Sequence, residues 1–270
     1  MAEVLMSKNW RDLIRPARLE IERGSAGATY AKFVGEPFEH GFGMTIGNSL
    51  RRILLSSLQG AAICAVKIDG VLHEFTTVPG VAEDVTDVIL NLKEVVVKMN
   101  EDGPRTLRID ATKPGPVKAG DILTDGTVEV LNPDHHIATL GEDATLRIEM
   151  TCKSGRGYVP AERSKDEDLP VGVIPIDALF NPIRKVNFNV SNARVGQRTN
   201  YDKLTLEIST NGSVRPEDAL AFSAKILKEQ LQIFINFAEE EEPVEEIEEE
   251  AAEEFNEALF KRVDELELSV

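Results

Sequence analysis

The stretch that most constrains the fold is Glu39–Gly60, EHGFGMTIGNSLRRILLSSLQG. Its spacing predicts a helix. At about 100° per residue, Ile46, Leu50, Ile53 and Ser57 fall on one side, flanked by Phe42 and Leu54. That recurrence is a core-facing stripe. The opposite side carries Asn48, Arg51 and Arg52, with Leu55 among them. Gly60 is placed to end the helix in a left-handed conformation. The segment therefore has a core face and a second face on which an apolar side chain sits between two arginines.

The flanking sequence alternates with a period of two. Ala17–Glu22 and Ala28–Val34 read as strands joined by a turn at Ser25–Gly27. Past Gly60, Ala65–Asp69 alternates again. Val81, Val85, Val88, Ile89 and Leu92 then mark a short helix, with Glu83, Asp84 and Asp87 early and Lys93 at its end. Strand candidates follow at Val95–Met99, Thr106–Ile109, Thr127–Leu131 and Leu146–Cys152, punctuated by Gly, Pro, Asn and Asp. Near Asn181 the first pattern resumes, with Val186–Val190 and Leu204–Ile208 alternating strictly. The expected class is α+β, with a compact mostly-β segment (60–180) between two stretches (1–59 and 181–237) that share antiparallel-strand and long-helix patterns.

A second long helix starts at Pro216, a favoured first helical residue, with Glu217 and Asp218 in its first turn. Leu220, Ala224, Leu227, Leu231, Phe234 and Ile235 form one apolar stripe. Phe222, Ile226, Ile233 and Phe237 form another, roughly opposite. A surface helix of a monomer needs one stripe. Two stripes favour a contact with a second copy over a fully internal helix. The interface expected between two copies takes Ile46, Leu50 and Ile53 from the first helix and Phe222, Ile226, Leu227, Leu231 and Phe234 from the last.

The formal charge is −17, which argues against a freestanding nucleic-acid binder. Glu239–Glu254 holds 11 glutamates and no cation, so the rest of the chain carries only −6. That run, 238–255, is expected to be an acidic flexible linker. Phe255, Leu259, Val263, Leu266 and Leu268 in 256–270 are too apolar for a linker and read as the start of a further domain. Two cysteines, no membrane-length apolar run and an N-terminus unlike a signal peptide lead to the expectation of a cytoplasmic protein, away from membranes.

Catalytic patterns are poor. Gly41, Gly43 and Gly47 miss the spacing of a dinucleotide loop, and read as flexibility at a helix start. His135–His136 lack a ligand-spaced partner, and Cys64 and Cys152 read as small core residues. No catalytic, metal or cofactor residues are assigned. Arginines flanking Leu55 fit a protein interface better than a phosphate site, because arginine and large apolar groups dominate binding energy at interfaces.

The runs EHGFGMTIGNSLRRILLSSLQG (39–60) and IDGVLHEFTTVPGVAEDVTDVILNLK (68–93) resemble the amino-terminal domain of bacterial RNA polymerase alpha subunits. So do GRGYVPA (155–161), NARVGQRTNYDKLTLEI (192–208) and TNGSVRPEDAL (210–220). The similarity runs in order from about residue 10 to residue 237. It implies a two-part dimerisation subdomain built from 1–59 and 181–237, interrupted by the inserted mostly-β subdomain 60–180, and a homodimer that serves as the assembly platform of DNA-directed RNA polymerase, one copy docking the beta subunit and the other beta-prime. The chain would be a non-catalytic subunit of a nucleotidyltransferase, with the magnesium chemistry in the partner subunits and no cofactor of its own. Arg51, Arg52 and Leu55 match the family's beta-contacting helix; Lys93, with Asp87 nearby, and Arg194 match partner-facing positions. Family members continue past the linker into a carboxy-terminal domain that binds promoter DNA and activators. Only its opening resembles 256–270, so DNA and activator binding are not expected of this chain. A standalone acidic adaptor of the same fold, or an independent enzyme, are the other classes; the first lacks a reason for the arginine face and the second lacks a catalytic pair.

Overall fold

A computed structural model describes residues 13–22, 27–142, 144–163, 170–196 and 198–235. The acidic run at 238–255, the segment 256–270, and Ser25 and Ala26 of the expected turn lie outside the described residues. The fold is mixed α+β, with three α-helices and several antiparallel sheets among the described residues.

The first sheet has the order β1-β2-β14-β13 and is antiparallel throughout. Its strands are β1 (Leu19–Ile21), β2 (Tyr30–Phe38), β13 (Ile183–Val195) and β14 (Arg198–Thr210). The alternation read at 186–190 and 204–208 thus belongs to two strands of 13 residues each, paired along their length. Two helices lie on this sheet: α1 (Phe42–Ser56) and α3 (Pro216–Leu231). Their core takes Ala31 and Phe33 from β2, Leu50 and Leu54 from α1, Ile183, Val186, Leu206 and Ile208 from β13 and β14, and Ala219 and Leu220 from α3. Fully burying a side chain such as Leu54 contributes about 1.5–3 kcal/mol.

A second core belongs to the chain between α1 and β13, drawing on Ile63 through Ile176. Its main sheet has the order β11-β3-β9-β5, from Val173–Pro175, Gln59–Ile68, Leu146–Arg156 and Arg105–Ala111. Helix α2 (Val85–Lys93) buries Val85, Val88, Ile89 and Leu92 against this core. Asp84 caps it, its carboxylate accepting from the Asp87 N–H at 2.8 Å. Three two-stranded pairs complete the set: β4 (Val97–Met99) with β7 (Val128–Val130), β6 (Gly115–Lys118) with β8 (His136–Leu140), and β10 (Tyr158–Val159) with β12 (Ala178–Leu179).

Three expectations need correction. The buried face of α1 is Gly43, Gly47, Leu50 and Leu54, while Ile46 and Ile53 are half-buried and Phe42 is exposed. On the wheel the core face is therefore turned by about 70° from the stripe of large apolar residues. The glycines cause the turn. A Cβ at Gly47 would come within 2.7 Å of the Phe188 ring and 2.8 Å of Leu204. Gly43 is similarly close to Val190 and Asp202, both at 3.0 Å. They permit close helix–sheet packing rather than a flexible entry.

Gly60 does not end the helix. Helix α1 stops at Ser56, and Gly60 sits within β3, where a Cβ would lie 1.9 Å from the Phe180 carbonyl oxygen. Close backbone approach is what requires glycine there.

Helix α3 buries neither of its two stripes at the centre. Pro216, Ala219, Leu220 and Ser223 are buried, and Ile226 and Leu227 are half-buried on either side of that line. Small Ala219 and Ser223 fill the gap between the stripes and face the core. Within Pro216–Leu231 the two stripes form one apolar arc of roughly 200°, not two opposed faces; Ile233, Phe234 and Ile235 lie past the last residue of the helix, and Phe237 lies outside the described residues.

The chain from Gln232 forms a separate unit, of which the described part is a 3₁₀ turn at Gln232–Phe234 with Phe234 exposed.

Candidate docking surface

Helix α1 has no capping side chain of its own, no acid in its first turn and no base in its last. Helix ends leave N–H and C=O groups unpaired, and here the sheet strands supply the partners. At the N-terminus, Gly41 takes a left-handed φ of 89°. The Asp202 carboxylate accepts from the Gly41 N–H at 2.8 Å and the Gly43 N–H at 3.1 Å. Its other oxygen lies 3.3 Å from His40 Nδ1. Asp202 is on β14, on the same inward face as Leu204, Leu206 and Ile208, and is buried. A buried carboxylate at a helix N-terminus is stabilised by aligned N–H groups and the helix dipole. At the C-terminus the Asn181 side-chain amide donates to the carbonyls of Leu55 at 2.6 Å and Leu54 at 3.2 Å.

Arg51, Arg52 and Leu55 all face outward. Neither arginine has an ion pair among the described residues. Leu55 is 40% exposed. Beyond the C-terminal turn of α1, a Cβ at Gly157 would lie 3.8 Å from the Ser56 carbonyl oxygen. Tyr158 pairs with Leu179 across β10 and β12, and both are 60% exposed. Asp177, next to β12, accepts from Lys93 Nζ at 2.7 Å and from the Tyr158 hydroxyl at 3.3 Å. The Lys93 hydrogen bond outweighs burial and holds the Asp177 carboxyl below the usual aspartate range. Tyr158 and Leu179 thus sit beside the Lys93–Asp177 pair, and Gly157, next to Tyr158, lies near the end of the helix that carries Arg51, Arg52 and Leu55.

Asp87 is exposed in the first turn of α2, about 9 Å along the helix from Lys93. Arg194 is exposed at the hairpin end of β13, where its Nε donates to the Gly196 carbonyl at 2.9 Å. Asn192 pairs with Asp202. Arg194 therefore lies toward the N-terminal end of α1, about 35 Å along β13 from Ile183, at the opposite end from Leu55. Of the residues expected at the interface between copies, Leu50 is buried inside the subunit, and Ile46, Ile226 and Leu227 pack partly against the same core. Ile53 is half-buried, while Phe222 and Leu231 are about half exposed, at 55% and 49%.

Tyr158, Asp177, Leu179, Asn181 and Asp202 were not singled out by sequence reasoning. Asp202 carried a signal: it stands two residues before Leu204 in an alternating strand, so it had to point inward and needed donors. The others are brought together only by the fold.

The histidines have structural partners. His136 Nε2 lies 2.8 Å from the Glu83 carboxylate, and His135 Nε2 lies 3.0 Å from the Asn91 carbonyl. Burial raises the Glu83 pKa, but hydrogen bonds from His136 and Thr139 outweigh it and leave the group below its ordinary value. Cys64 and Cys152 are buried, and burial pushes the Cys152 thiol up to about 12. Among the described residues no group of three or more His, Cys, Asp or Glu side chains is arranged to hold a metal ion. None of the described helices is long and apolar enough to cross a membrane.

Residues 66–181 match the model of the RNA polymerase Rpb3/RpoA insert domain. Over 266 residues the chain is 66% identical to the DNA-directed RNA polymerase subunit alpha of Geobacter metallireducens, covering 98% of this chain and 78% of that protein. It is 60% identical to the same subunit of Pelobacter propionicus, with the same coverage. It is 57% identical to that of Syntrophus aciditrophicus over 273 residues, covering 98% of this chain and 79% of the relative. At these identities over nearly its whole length, the chain belongs to the family of DNA-directed RNA polymerase alpha subunits.

Proposed function

We propose that this polymerase subunit, whose family membership implies partner subunits, acts as a homodimeric assembly platform in the cytoplasm, one copy docking beta and the other beta-prime. The observation that carries the reading is the outward face of α1. Two arginines without ion partners among the described residues flank exposed Leu55, and exposed Tyr158 and Leu179 pair beside the Lys93–Asp177 ion pair. Arginine beside exposed aromatic and aliphatic groups is the composition of a protein-binding centre. Asp87 and Arg194 are assigned to the same docking role, at the far end of α2 and at the β13 hairpin.

The dimer reading draws on the sheet. Leu19 and Ile21 of β1 register with Gly35 and Phe33, and so share the face on which Phe33 is buried, yet both are exposed. Phe222 and Leu231 at the margins of the α3 arc are exposed as well. A second copy would cover them, with Ile53, Ile46, Ile226 and Leu227 contributing at the margin; Phe234, in the unit that begins at Gln232, is assigned to the interface by its sequence spacing alone. Leu50 supports the interface only from inside the core. The division into 1–59 with 181–237 and 60–180 is supported by two separate hydrophobic cores. The linker at 238–255, the segment 256–270 and DNA or activator binding by a following domain remain part of this proposal. So does the assignment of magnesium chemistry to the partners.

Sizing chromatography of the purified chain, alone and with beta, tests this function. The proposal requires a dimer that moves to one larger species when beta is added. A monomer, or a dimer that ignores beta, contradicts it.

A further inference from the structure

We infer that Asn181 and Asp202 are positioning residues for docking: they fix the two ends of α1 on the sheet and so set where Leu55, Arg51 and Arg52 stand. The inference rests on the docking role proposed above for that face.

The sheet-facing side of α1 is half glycine. Gly43 and Gly47 give close approach but add no side chain of their own, so on the helix side the packing comes from Leu50 and Leu54 with half-buried Ile46. With so few helix side chains anchoring it, where the helix sits depends also on how its ends are tied. Both ends are tied by side chains from elsewhere in the chain. Among the described residues the buried polar side chains are Asn181, Asp202, Thr210 and Ser223. Two of these four serve the ends of α1. Burying an amide or a carboxylate is costly unless it is fully paired, and both are paired to backbone. Asn181 reaches the docking residue itself, since its 2.6 Å bond is to the Leu55 carbonyl. Its Oδ1 accepts from the Ile183 N–H at 3.0 Å, so the same side chain locks Leu55 to the start of β13. Asp202 holds the first turn through two N–H groups on one oxygen.

Chemistry separates this role from bulk stability. Asp202→Asn keeps an oxygen where Gly41 and Gly43 donate, and its new N–H₂ can donate to His40. Asp202→Ala removes the acceptor. Asn181→Asp keeps the shape but places a carboxylate against two carbonyl oxygens in place of a donor.

The test measures affinity of the full-length dimer for purified beta, with dimer content by sizing and Tm alongside, in five proteins: wild type, Asp202→Ala, Asp202→Asn, Asn181→Asp and Arg52→Ala. Asp202→Ala and Asn181→Asp should remain dimers yet bind beta at least about ten-fold more weakly, the effect of one lost hydrogen bond with its partner left unpaired. Asp202→Asn should stay within about three-fold of wild type. If Arg52→Ala weakens binding while Asp202→Ala and Asn181→Asp match wild type, the positioning role is overturned and docking stands. If Arg52→Ala itself binds normally, it is the docking reading that fails. Where only one of Asp202→Ala and Asn181→Asp folds, that variant decides. If neither forms a folded dimer, or Asp202→Asn loses as much as Asp202→Ala, the residues serve the fold at large and the inference is overturned.

Discussion

The Asn181 side-chain amide donates to the Leu55 carbonyl across 2.6 Å, joining residues 126 positions apart. Gly60 and Phe180 meet beside them, with room for no side chain on the glycine. The long excursion between α1 and β13 therefore leaves and returns at one place, at the base of the arginine-bearing helix. That junction couples the outward face of α1 to the second core, and it is where substitutions should act most sharply.

Gly60→Ala is the sharpest of these. Its Cβ would stand 1.9 Å from the Phe180 carbonyl oxygen, a backbone atom that cannot swing aside. Overpacking of this kind costs about 3 kcal/mol or more. Gly27→Ala, whose Cβ would meet only the Tyr30 carbonyl at 3.5 Å, should change stability by no more than about 0.5 kcal/mol. Urea denaturation midpoints of the two variants check the contrast.

The Lys93–Asp177 pair makes a pH prediction. Its side chains are about one-third exposed, 31% and 32%, so the pair contributes at most about 1 kcal/mol. The folded-state pKa of Asp177 is lowered, which means the unfolded state binds the proton more readily. The contribution is present in full above the unfolded aspartate pKa and is lost as pH falls through the lower folded value. A double-mutant cycle of Lys93→Met and Asp177→Asn should show coupling at neutral pH that disappears only in acid. Coupling that instead vanished on raising the pH to 8 would count against this pair.

Phe222→Glu places a charge on an exposed margin of α3 without touching Ala219, Leu220 or Ser223. It should leave far-UV circular dichroism unchanged while shifting the sizing peak from dimer to monomer. A variant that elutes as a stable dimer removes Phe222 from the interface.

Neither thiol is available in the folded protein. Cys152 is buried with its pKa pushed up to about 12, and burial raises that of Cys64 too. Reaction with a disulfide reagent proceeds through the thiolate. Native protein should therefore label far more slowly than protein in guanidinium, where both cysteines titrate.

The strands were legible where alternation ran long, as at 186–190 and 204–208, and α3 began at the proline where expected. The helices' rotations were not. A wheel weights large apolar side chains, so it aimed Ile46 and Ile53 of α1 inward, whereas Gly43 and Gly47 give the closest approach. The same weighting hid Ala219 and Ser223 on α3 and turned one broad arc into two faces. The proposed docking surface was legible only within its local segments. Arg51, Arg52 and Leu55 show themselves by helical spacing, but the pairing of Tyr158 with Leu179 and the bond of Lys93 to Asp177 join residues that no local pattern connects. His135 and His136 show the converse, because their partners Asn91 and Glu83 lie on or beside α2, more than 40 residues away.

The proposed docking of a larger subunit on the outward face of α1 is read out by the affinity of purified beta for dimers carrying Arg51→Ala together with Arg52→Ala. The expected result is a dimer of unchanged Tm whose affinity for beta falls by about ten-fold or more, as for loss of central interface arginines. A doubly substituted dimer that binds beta as tightly as wild type would contradict it.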